Sequence, residues 1–227
     1  LLGAIVPGEG YRTFLVPRSD YEIEDTWFVY GLQATGSNDI VIAEPVFVPD
    51  HRTHKQMDGF ACMNEQENPI YSIPWAQMFI RVVSTPAIGA VKHAVNLFAG
   101  KADSSSTDPT KLMSDPDISQ RVAETINDVD EVETMMFRNF DRMLTAACAG
   151  EEIPLIDRVR YRYQAGIVID RMIGAIDRLF NVAGGRSVYD AAAIQDIWRD
   201  IHIARAHVAN NPTSFARNLG GMTLGAD

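Results

Sequence analysis

Two segments in the C-terminal third of the chain carry residue types and spacings that could do chemistry. The first is a helix predicted over residues 192–210, whose apolar residues recur at helical spacing before Pro212. The side chain of His207 lies off the apolar stripe, on the side that carries Asp196, Asp200 and Ile203. Such a side either lines a cleft or lies in solvent, and periodicity alone favours solvent. The predicted stripe consists of Ile194, Ile197, Trp198, Ile201 and Val208.

The second segment, Gly184-Gly185-Arg186-Ser187, links two predicted helices. Glycines allow a backbone to approach a ligand closely, and free N–H groups near a helix start attract phosphate. The same residues are also typical of an ordinary glycine helix stop. Residue types alone therefore leave both interpretations open.

Other signatures of chemistry are missing from the sequence. It has no phosphate-binding Walker loop, no dinucleotide-binding glycine fingerprint and no nucleophile elbow. His51 and His54 have a spacing that could suggest a metal site, but no third ligand accompanies them. His93 falls within a predicted helix, where a packing or surface role is the simplest interpretation. We therefore predict no metal site.

Composition excludes several classes of protein. The chain has 227 residues, 46% of them hydrophobic, and a formal net charge of −10, which disfavours a nucleic-acid partner. Its two cysteines cannot form a disulfide framework, and no apolar run approaches the roughly 18 residues that span a bilayer. We expect a cytoplasmic protein with no membrane association.

The first part of the chain has the pattern of β-structure. Short apolar runs rich in Val, Ile, Tyr, Phe and Trp are divided by Pro, Gly and Asp, and residues 35–39 have the composition of a turn. The sequence opens without Met, as if within a strand, so we expect that a preceding segment is absent from it. The candidate strands are Leu2–Val6, Thr13–Val16, Tyr21–Tyr30 and Ile40–Val48.

After Pro74 the apolar period becomes helical. Four long amphipathic helices with short links predict an antiparallel bundle, and the methionines of the second helix are expected to fill its core. The fold class is therefore α+β, with the end of a β-domain at 1–53, a connecting segment at 54–73 and a four-helix bundle at 74–227. The helices are predicted over residues 75–98, 117–150, 154–184 and 192–210, with an exposed loop over 101–116.

In this order the segments resemble the C-terminal part of an acyl-CoA dehydrogenase-fold flavoprotein. Gly31–Asp39 and Val46–Pro49 are similar to the family's strand–turn–strand and its exit into the helical domain. Asn181–Gly185 and Trp198–Asp200 resemble its Gly-Gly turn and its Arg-Asp helix. The resemblance covers essentially the whole chain and implies that the family's N-terminal helical domain and the first part of its β-domain are missing.

The residues after Arg199 separate two branches of the family. Dehydrogenases commonly carry a catalytic Glu nine residues after this Arg, where the chain has Val208. The oxygenase components of two-component flavin-dependent aromatic monooxygenases carry a His eight residues after it, which is His207 here. The resemblance to the second branch implies a functional His207, with an imidazole that could act as the base for a phenolic substrate. Asp200 is two turns away, too far on a straight helix to orient it.

The resemblance also implies the cofactor and the partners. Reduced FMN or FAD, delivered by a separate flavin reductase component, would react with O2 to form a C4a-hydroperoxide that hydroxylates a small aromatic substrate. The residues that match flavin-binding positions are Asn181, Gly184, Gly185, Arg186, Ser187 and Arg81. In this family the flavin is shared across subunits, which implies a homo-oligomer, most simply a tetramer.

Two other functions stay open at this point. A dehydrogenase that places its catalytic base elsewhere would oxidise an acyl-CoA without a reductase. A catalytically silent assembly module of the same fold would bind no reduced flavin at all.

Overall fold

The computed structural model describes residues 1–55, 67–104 and 114–225. The chain divides into two compact units. The first comprises Leu1–Val29 with Gln33–Ala76, and the second comprises Tyr30–Leu32 with Gln77–Asp227. Much of the connecting segment expected at 54–73 lies outside the described residues, and the three-part division stays a prediction. The α+β fold class is confirmed.

The first unit is built from short antiparallel strands. Strands β1 and β2 form a hairpin in which Leu2 pairs with Phe14 and Val6 with Gly10. Strand β5 pairs with the other edge of β2, while β3 and β4 form a separate two-stranded sheet. The strands are β1 Leu2–Val6, β2 Gly10–Phe14, β3 Glu22–Glu24, β4 Asp39–Val41 and β5 Thr53–Lys55.

Two of the predicted strands are much shorter than expected. Only Glu22–Glu24 of the run 21–30 and the start of the run 40–48 form strands. The backbone N–H groups of Thr26 and Trp27 donate to the side-chain oxygen of Asn38, at 3.2 and 3.0 Å, instead of to a neighbouring strand. Pro45 lacks an N–H and interrupts the second run. Residues 35–38 of the predicted turn lie between β3 and β4, and Asp39 is the first residue of β4.

The second unit is helical. The described residues contain six α-helices, where the sequence predicts four. Strong local signals explain why α2 matches its prediction: the side chain of Asp115 accepts from the Asp117 and Ile118 N–H groups, and Gly150 ends the helix at φ 68°. The helices are α1 Trp75–Ser104, α2 Pro116–Ala149, α3 Leu155–Gly166, α4 Val168–Val182, α5 Ala193–Ala204 and α6 Thr213–Leu224.

The observed helices differ from the predicted ones at two ends, by one division and by one additional helix. Helix α1 continues to Ser104, into the expected loop. The predicted third helix is divided at Ile167 into α3 and α4, and α6 follows Pro212, where no helix is predicted. The fourth predicted helix stops six residues early, at Ala204. Its next residues make i→i+3 bonds, and the Asn210 side chain donates to the Ala204 carbonyl at 2.8 Å.

The core of the helical unit joins α1, α2, α4 and α5. Ile194 and Ile201 of the predicted α5 stripe are buried as expected, and Met136 and Met143 of α2 are core residues. The prediction that Val208 belongs to the core is wrong, because Val208 lies beyond the end of α5 and is 80% exposed. No helix among the described residues is long and apolar enough to cross a membrane. The largest fully enclosed apolar residues include Val91, Val132, Val168, Ile169, Met172, Ile176 and Leu179.

Candidate active site

His207 lies in the turn that follows α5. It precedes a short 3-10 helix, Val208–Asn210, and its ring nitrogen Nδ1 accepts the Ala209 N–H at 3.1 Å. The imidazole is exposed, and its centroid is 6.3 Å from that of the Phe79 ring on α1. The predicted helical face that His207 shares with the α5 aspartates is therefore wrong, since the helix ends before it.

The hydrogen bond to Nδ1 decides what His207 presents to its surroundings. A ring nitrogen that accepts a hydrogen bond from a backbone N–H carries a lone pair, so the neutral imidazole carries its proton on Nε2. The free edge of the ring then offers an N–H donor. This arrangement suits donation to an oxygen atom of a ligand, and the role of base that the resemblance implies stays a prediction.

Asp200 has a different partner from the one its sequence position suggests. Its carboxylate accepts the backbone N–H of Leu32 at 2.5 Å. Gly31 fits against the same turn of α5, where a Cβ atom would lie 2.7 Å from the Arg199 carbonyl oxygen. The Arg199 guanidinium stacks over the Tyr30 ring at 5.3 Å. The Arg-Asp pair thus binds the segment Tyr30–Leu32 to the helical unit, a contact that no sequence spacing indicates.

The Gly-Gly link is an exposed turn after α4. Gly184 has φ 76°, a conformation that favours glycine, and residues 185–188 form a 3-10 helix. A Cβ added at Gly185 would meet no atom within 4 Å, so its backbone is open to approach. Asn181 and Arg186 are exposed as well. Ser187 is different: it is buried, and its hydroxyl donates to the Gly184 carbonyl at 2.6 Å. Ser187 therefore shapes the turn.

Arg81 on α1 has a buried guanidinium. The residue is 4% exposed, and neither of its Nη atoms has a hydrogen-bond partner among the described residues. Burial, and to a smaller extent the charge of Arg138, lowers the pKa of Arg81 to about 10. It stays a cation at neutral pH, and an uncompensated buried cation is costly. The site therefore fits an anionic group.

A second guanidinium faces this part of the bundle. Arg138 on α2 donates to the side-chain oxygen of Asn139 at 3.0 Å and to that of Gln164 at 3.3 Å. Asn139 is fully buried and donates in turn to Gln164 at 2.8 Å. Within the described ranges no carboxylate lies at ion-pair distance from either Arg81 or Arg138. In a chain of net charge −10, two cations held without carboxylates mark a local positive site.

Two further features escape the sequence reasoning. Trp198 donates to Asp177 at 2.6 Å, and His202 lies 3.4 Å from the same carboxylate oxygen, which joins α4 to α5.

Separately, a groove of about 390 Å³ runs between α1 and α2, bridged by an ion pair of Lys92 and Glu133. His93 lines that groove. The complete lining is Thr85, Ile88, Gly89, Lys92, His93, Asn96, Glu133 and Met136.

The sequence-predicted site residues thus lie on three elements. Arg81 is on α1, the glycine turn follows α4, and His207 follows α5. All belong to the helical unit.

Comparisons with known proteins identify the family to which the chain belongs. A family model described as acyl-CoA dehydrogenase, C-terminal domain, matches residues 81–212. The chain is 36% identical over 209 residues to the flavin-dependent monooxygenase, oxygenase subunit HsaA, of Mycobacterium tuberculosis (strain CDC 1551 / Oshkosh), covering 89% of this chain and 53% of that protein.

Solved structures give the same result. 3-HSA hydroxylase from Rhodococcus sp. RHA1 has a TM-score of 0.90 at 30% identity, over 99% of this chain and 60% of that one. XiaF from Streptomyces sp., in complex with FADH2 and glycerol, has a TM-score of 0.84 at 25% identity, over 96% of this chain and 56% of that one. The chain spans about half the length of the curated relatives it matches.

Proposed function

Because the chain belongs to the acyl-CoA dehydrogenase C-terminal domain family, we propose that it is part of the oxygenase component of a two-component flavin-dependent monooxygenase. The reaction is hydroxylation of an aromatic, phenol-type substrate with reduced flavin and O2. The observation that carries this proposal is His207, an exposed imidazole whose Nδ1 accepts a backbone N–H, while the position of the dehydrogenase carboxylate, one residue further on, is Val208. The similarity to oxygenase subunits supports it.

Reduced FMN or FAD is the cofactor that the site fits. A reduced flavin carries negative charge on its ring and its phosphates, and the buried Arg81 lacks an acceptor among the described residues. Gly184 and Gly185 leave an open backbone that a flavin can approach, with Asn181 and Arg186 exposed beside it. When bound, the reduced flavin supplies the electrons that activate dioxygen for transfer to an aromatic ring.

The chain's own contribution to the reaction is orientation. The Nε2–H of His207 donates to the phenolic oxygen and places the ring to be hydroxylated, while the Ala209 N–H holds the imidazole through Nδ1. The Phe79 ring lies beside the imidazole, tilted by 51° with the centroids 6.3 Å apart. A donor at this atom also stabilises partial negative charge on the phenolic oxygen.

The proposal includes partners and assembly. A separate reductase component delivers the reduced flavin, and the oxygenase assembles as a homotetramer in the cytoplasm. Light scattering on the full-length protein tests the oligomer, and mixing with a flavin reductase and NADH tests the delivery.

The function itself is tested by two measurements on the full-length protein. Anaerobic titration with reduced FMN, and separately with reduced FAD, should give saturable binding. A panel of phenols in oxygenated buffer should then give hydroxylated product in proportion to oxygen consumed, with little peroxide. Absence of binding for both flavins identifies a silent assembly module. Oxidation of an acyl-CoA with an artificial electron acceptor and no reductase identifies a dehydrogenase.

A further inference from the structure

The position of His207 is determined by the turn around it, because its exposed ring has little packing of its own. The hydrogen bond to Nδ1 comes from the Ala209 N–H, two residues away in the same turn. Whatever fixes this turn therefore fixes the direction of the imidazole and its tautomer. We propose that Asn210 is a positioning residue for His207, an inference that rests on the proposed function of the histidine.

Asn210 forms hydrogen bonds with His207 and with two residues that precede it. It is completely buried. Its side-chain Nδ2 donates to the Ala204 carbonyl at 2.8 Å, and its backbone N–H donates to the His207 carbonyl at 2.9 Å. Its own carbonyl accepts from Arg205 Nη1 at 3.1 Å. Three hydrogen bonds of one residue thus close the turn from the last residue of α5 to the 3-10 helix.

An ion pair anchors this turn to the rest of the bundle. The Nε atom of Arg205 lies 2.5 Å from a carboxylate oxygen of Asp170, on α4. The same guanidinium holds the Asn210 carbonyl, so α4, Arg205 and Asn210 form a continuous support. Asp170 and Arg205 are partly exposed, whereas Asn210 is buried. The buried amide is therefore the central element of the support.

The amide nitrogen of Asn210, and not its oxygen, makes the side-chain hydrogen bond that closes the turn. Its Oδ1 is buried and has no hydrogen-bond partner among the described residues, whereas its Nδ2 makes the bond to Ala204. Aspartate has nearly the same shape but replaces the donor with an acceptor. In Asn210→Asp a carboxylate oxygen faces the Ala204 carbonyl, which opens the turn and removes the Ala209 N–H from Nδ1 of His207.

The neighbouring asparagine provides a matched control. Asn211 is exposed, and its side-chain oxygen accepts the Thr213 N–H at 3.1 Å, at the start of α6. Asn211→Asp keeps that acceptor and adds the same charge as Asn210→Asp within one residue. The net charge is common to both variants, so a difference between them reports what is specific to the buried position, namely the lost donor and the burial of the carboxylate.

The direct measurement is 15N NMR of the histidine side chains in the full-length protein, with the His207 signals assigned by their loss in His207→Ala. The wild type should show an unprotonated Nδ1 and a protonated Nε2. In Asn210→Asp the ratio of the two tautomers should fall about five-fold, as expected for loss of one hydrogen bond. Asn211→Asp should keep the wild-type spectrum. A wild-type His207 spectrum in a folded Asn210→Asp protein refutes the proposal.

A second variant covers the case in which Asn210→Asp does not fold. Arg205→Met removes the bond to the Asn210 carbonyl and the ion pair with Asp170 from a partly exposed position. It should shift the His207 tautomers in the same direction. An unchanged spectrum in Arg205→Met also counts against the support described above, and it decides the matter if the first variant is unfolded.

Activity separates this inference from the proposed function. Asn210→Asp should retain reduced-flavin affinity and lose coupling of oxygen to product, while Asn211→Asp keeps both. If His207→Ala leaves coupling unchanged, the proposed role of the histidine fails, and the NMR result still decides whether Asn210 positions it. A perturbed spectrum with full coupling in Asn210→Asp refutes the functional part alone.

Discussion

Replacing Arg81 by methionine should stabilise the flavin-free protein, although the side chain lies inside the helical unit. Methionine keeps a long, flexible, apolar side chain in the space now occupied by the arginine stem. It removes a guanidinium whose two Nη atoms have no acceptor among the described residues. The folded protein then no longer pays the cost of desolvating an unpaired cation.

The size of the effect follows from the pKa of Arg81. Burial, with a smaller contribution from Arg138, lowers that pKa by about two units from its ordinary value, to about 10. Each pKa unit corresponds to about 1.4 kcal/mol, so the unfavourable interaction of the charge with the folded protein is about 3 kcal/mol. We expect the free energy of unfolding of Arg81→Met to exceed that of the wild type by up to this amount.

The pH dependence has a defined sign. Below about pH 10 both the folded and the unfolded protein carry Arg81 as a cation, so the cost is present in full and does not change with pH. Above it, the folded protein loses the proton first, and stability rises. The advantage of Arg81→Met should therefore be constant between about pH 6 and pH 9.

Urea unfolding followed by circular dichroism, on flavin-free full-length protein, measures the difference. Arg160→Met is the control, since Arg160 is partly exposed and pairs with Asp157 at 2.7 Å; it should change stability by less than about 1 kcal/mol. Reduced flavin should bind Arg81→Met at least about ten-fold more weakly. A loss of more than about 1 kcal/mol in flavin-free Arg81→Met refutes the reasoning, because it would mean that the folded protein already supplies an anion.

Three further substitutions test the other parts of the site. His207→Ala should keep reduced-flavin affinity and divert oxygen from product to peroxide, measured with an oxygen electrode and a peroxide assay. Gly185→Val should weaken flavin binding at least about ten-fold in an anaerobic titration with unchanged stability, since its Cβ meets no protein atom within 4 Å. Gly31→Ala should lower the free energy of unfolding by about 1–3 kcal/mol, because the added Cβ would lie 2.7 Å from the Arg199 carbonyl oxygen.

Each of these three predictions would be contradicted by one result. Unchanged product per oxygen consumed in His207→Ala removes that residue from the reaction. Wild-type flavin affinity in Gly185→Val excludes a close backbone approach at the turn. Wild-type stability of Gly31→Ala means that the segment beside α5 can shift without cost. Gly220→Val is the control for Gly185→Val, because a Cβ added at Gly220 also meets no atom within 4 Å, and Gly220 lies on α6, outside the glycine turn.

The sequence predicts elements well where the signals are local. Helix α2 begins at Asp115 and Pro116 and ends at Gly150, and all three are recognisable start and stop residues. Helix α5 is different. Its end depends on the side chain of Asn210, which returns six residues to the Ala204 carbonyl, and no Gly or Pro stands between them. A periodic pattern cannot anticipate a stop signal that forms only when the turn is made.

The candidate site shows the same limit. The resemblance selects Arg81 and His207, but the burial of Arg81 depends on neighbours from other helices, which one sequence does not show. The direction of the imidazole is likewise a property of the folded turn. Asp200 is the clearest case: its partner is the Leu32 N–H, 168 residues earlier in the chain. Only a tertiary contact identifies that pair.

The contact of Asp200 with Leu32 affects how the protein can be dissected. The chain leaves the first unit at Tyr30, re-enters it at Gln33 and leaves it again after Ala76. A helical fragment that starts at Gln77 would lack the three-residue segment and leave the Asp200 carboxylate without the Leu32 donor. Fragment expression, domain exchange and circular permutation all have to retain this insertion. The residues of the two units are therefore interleaved along the chain.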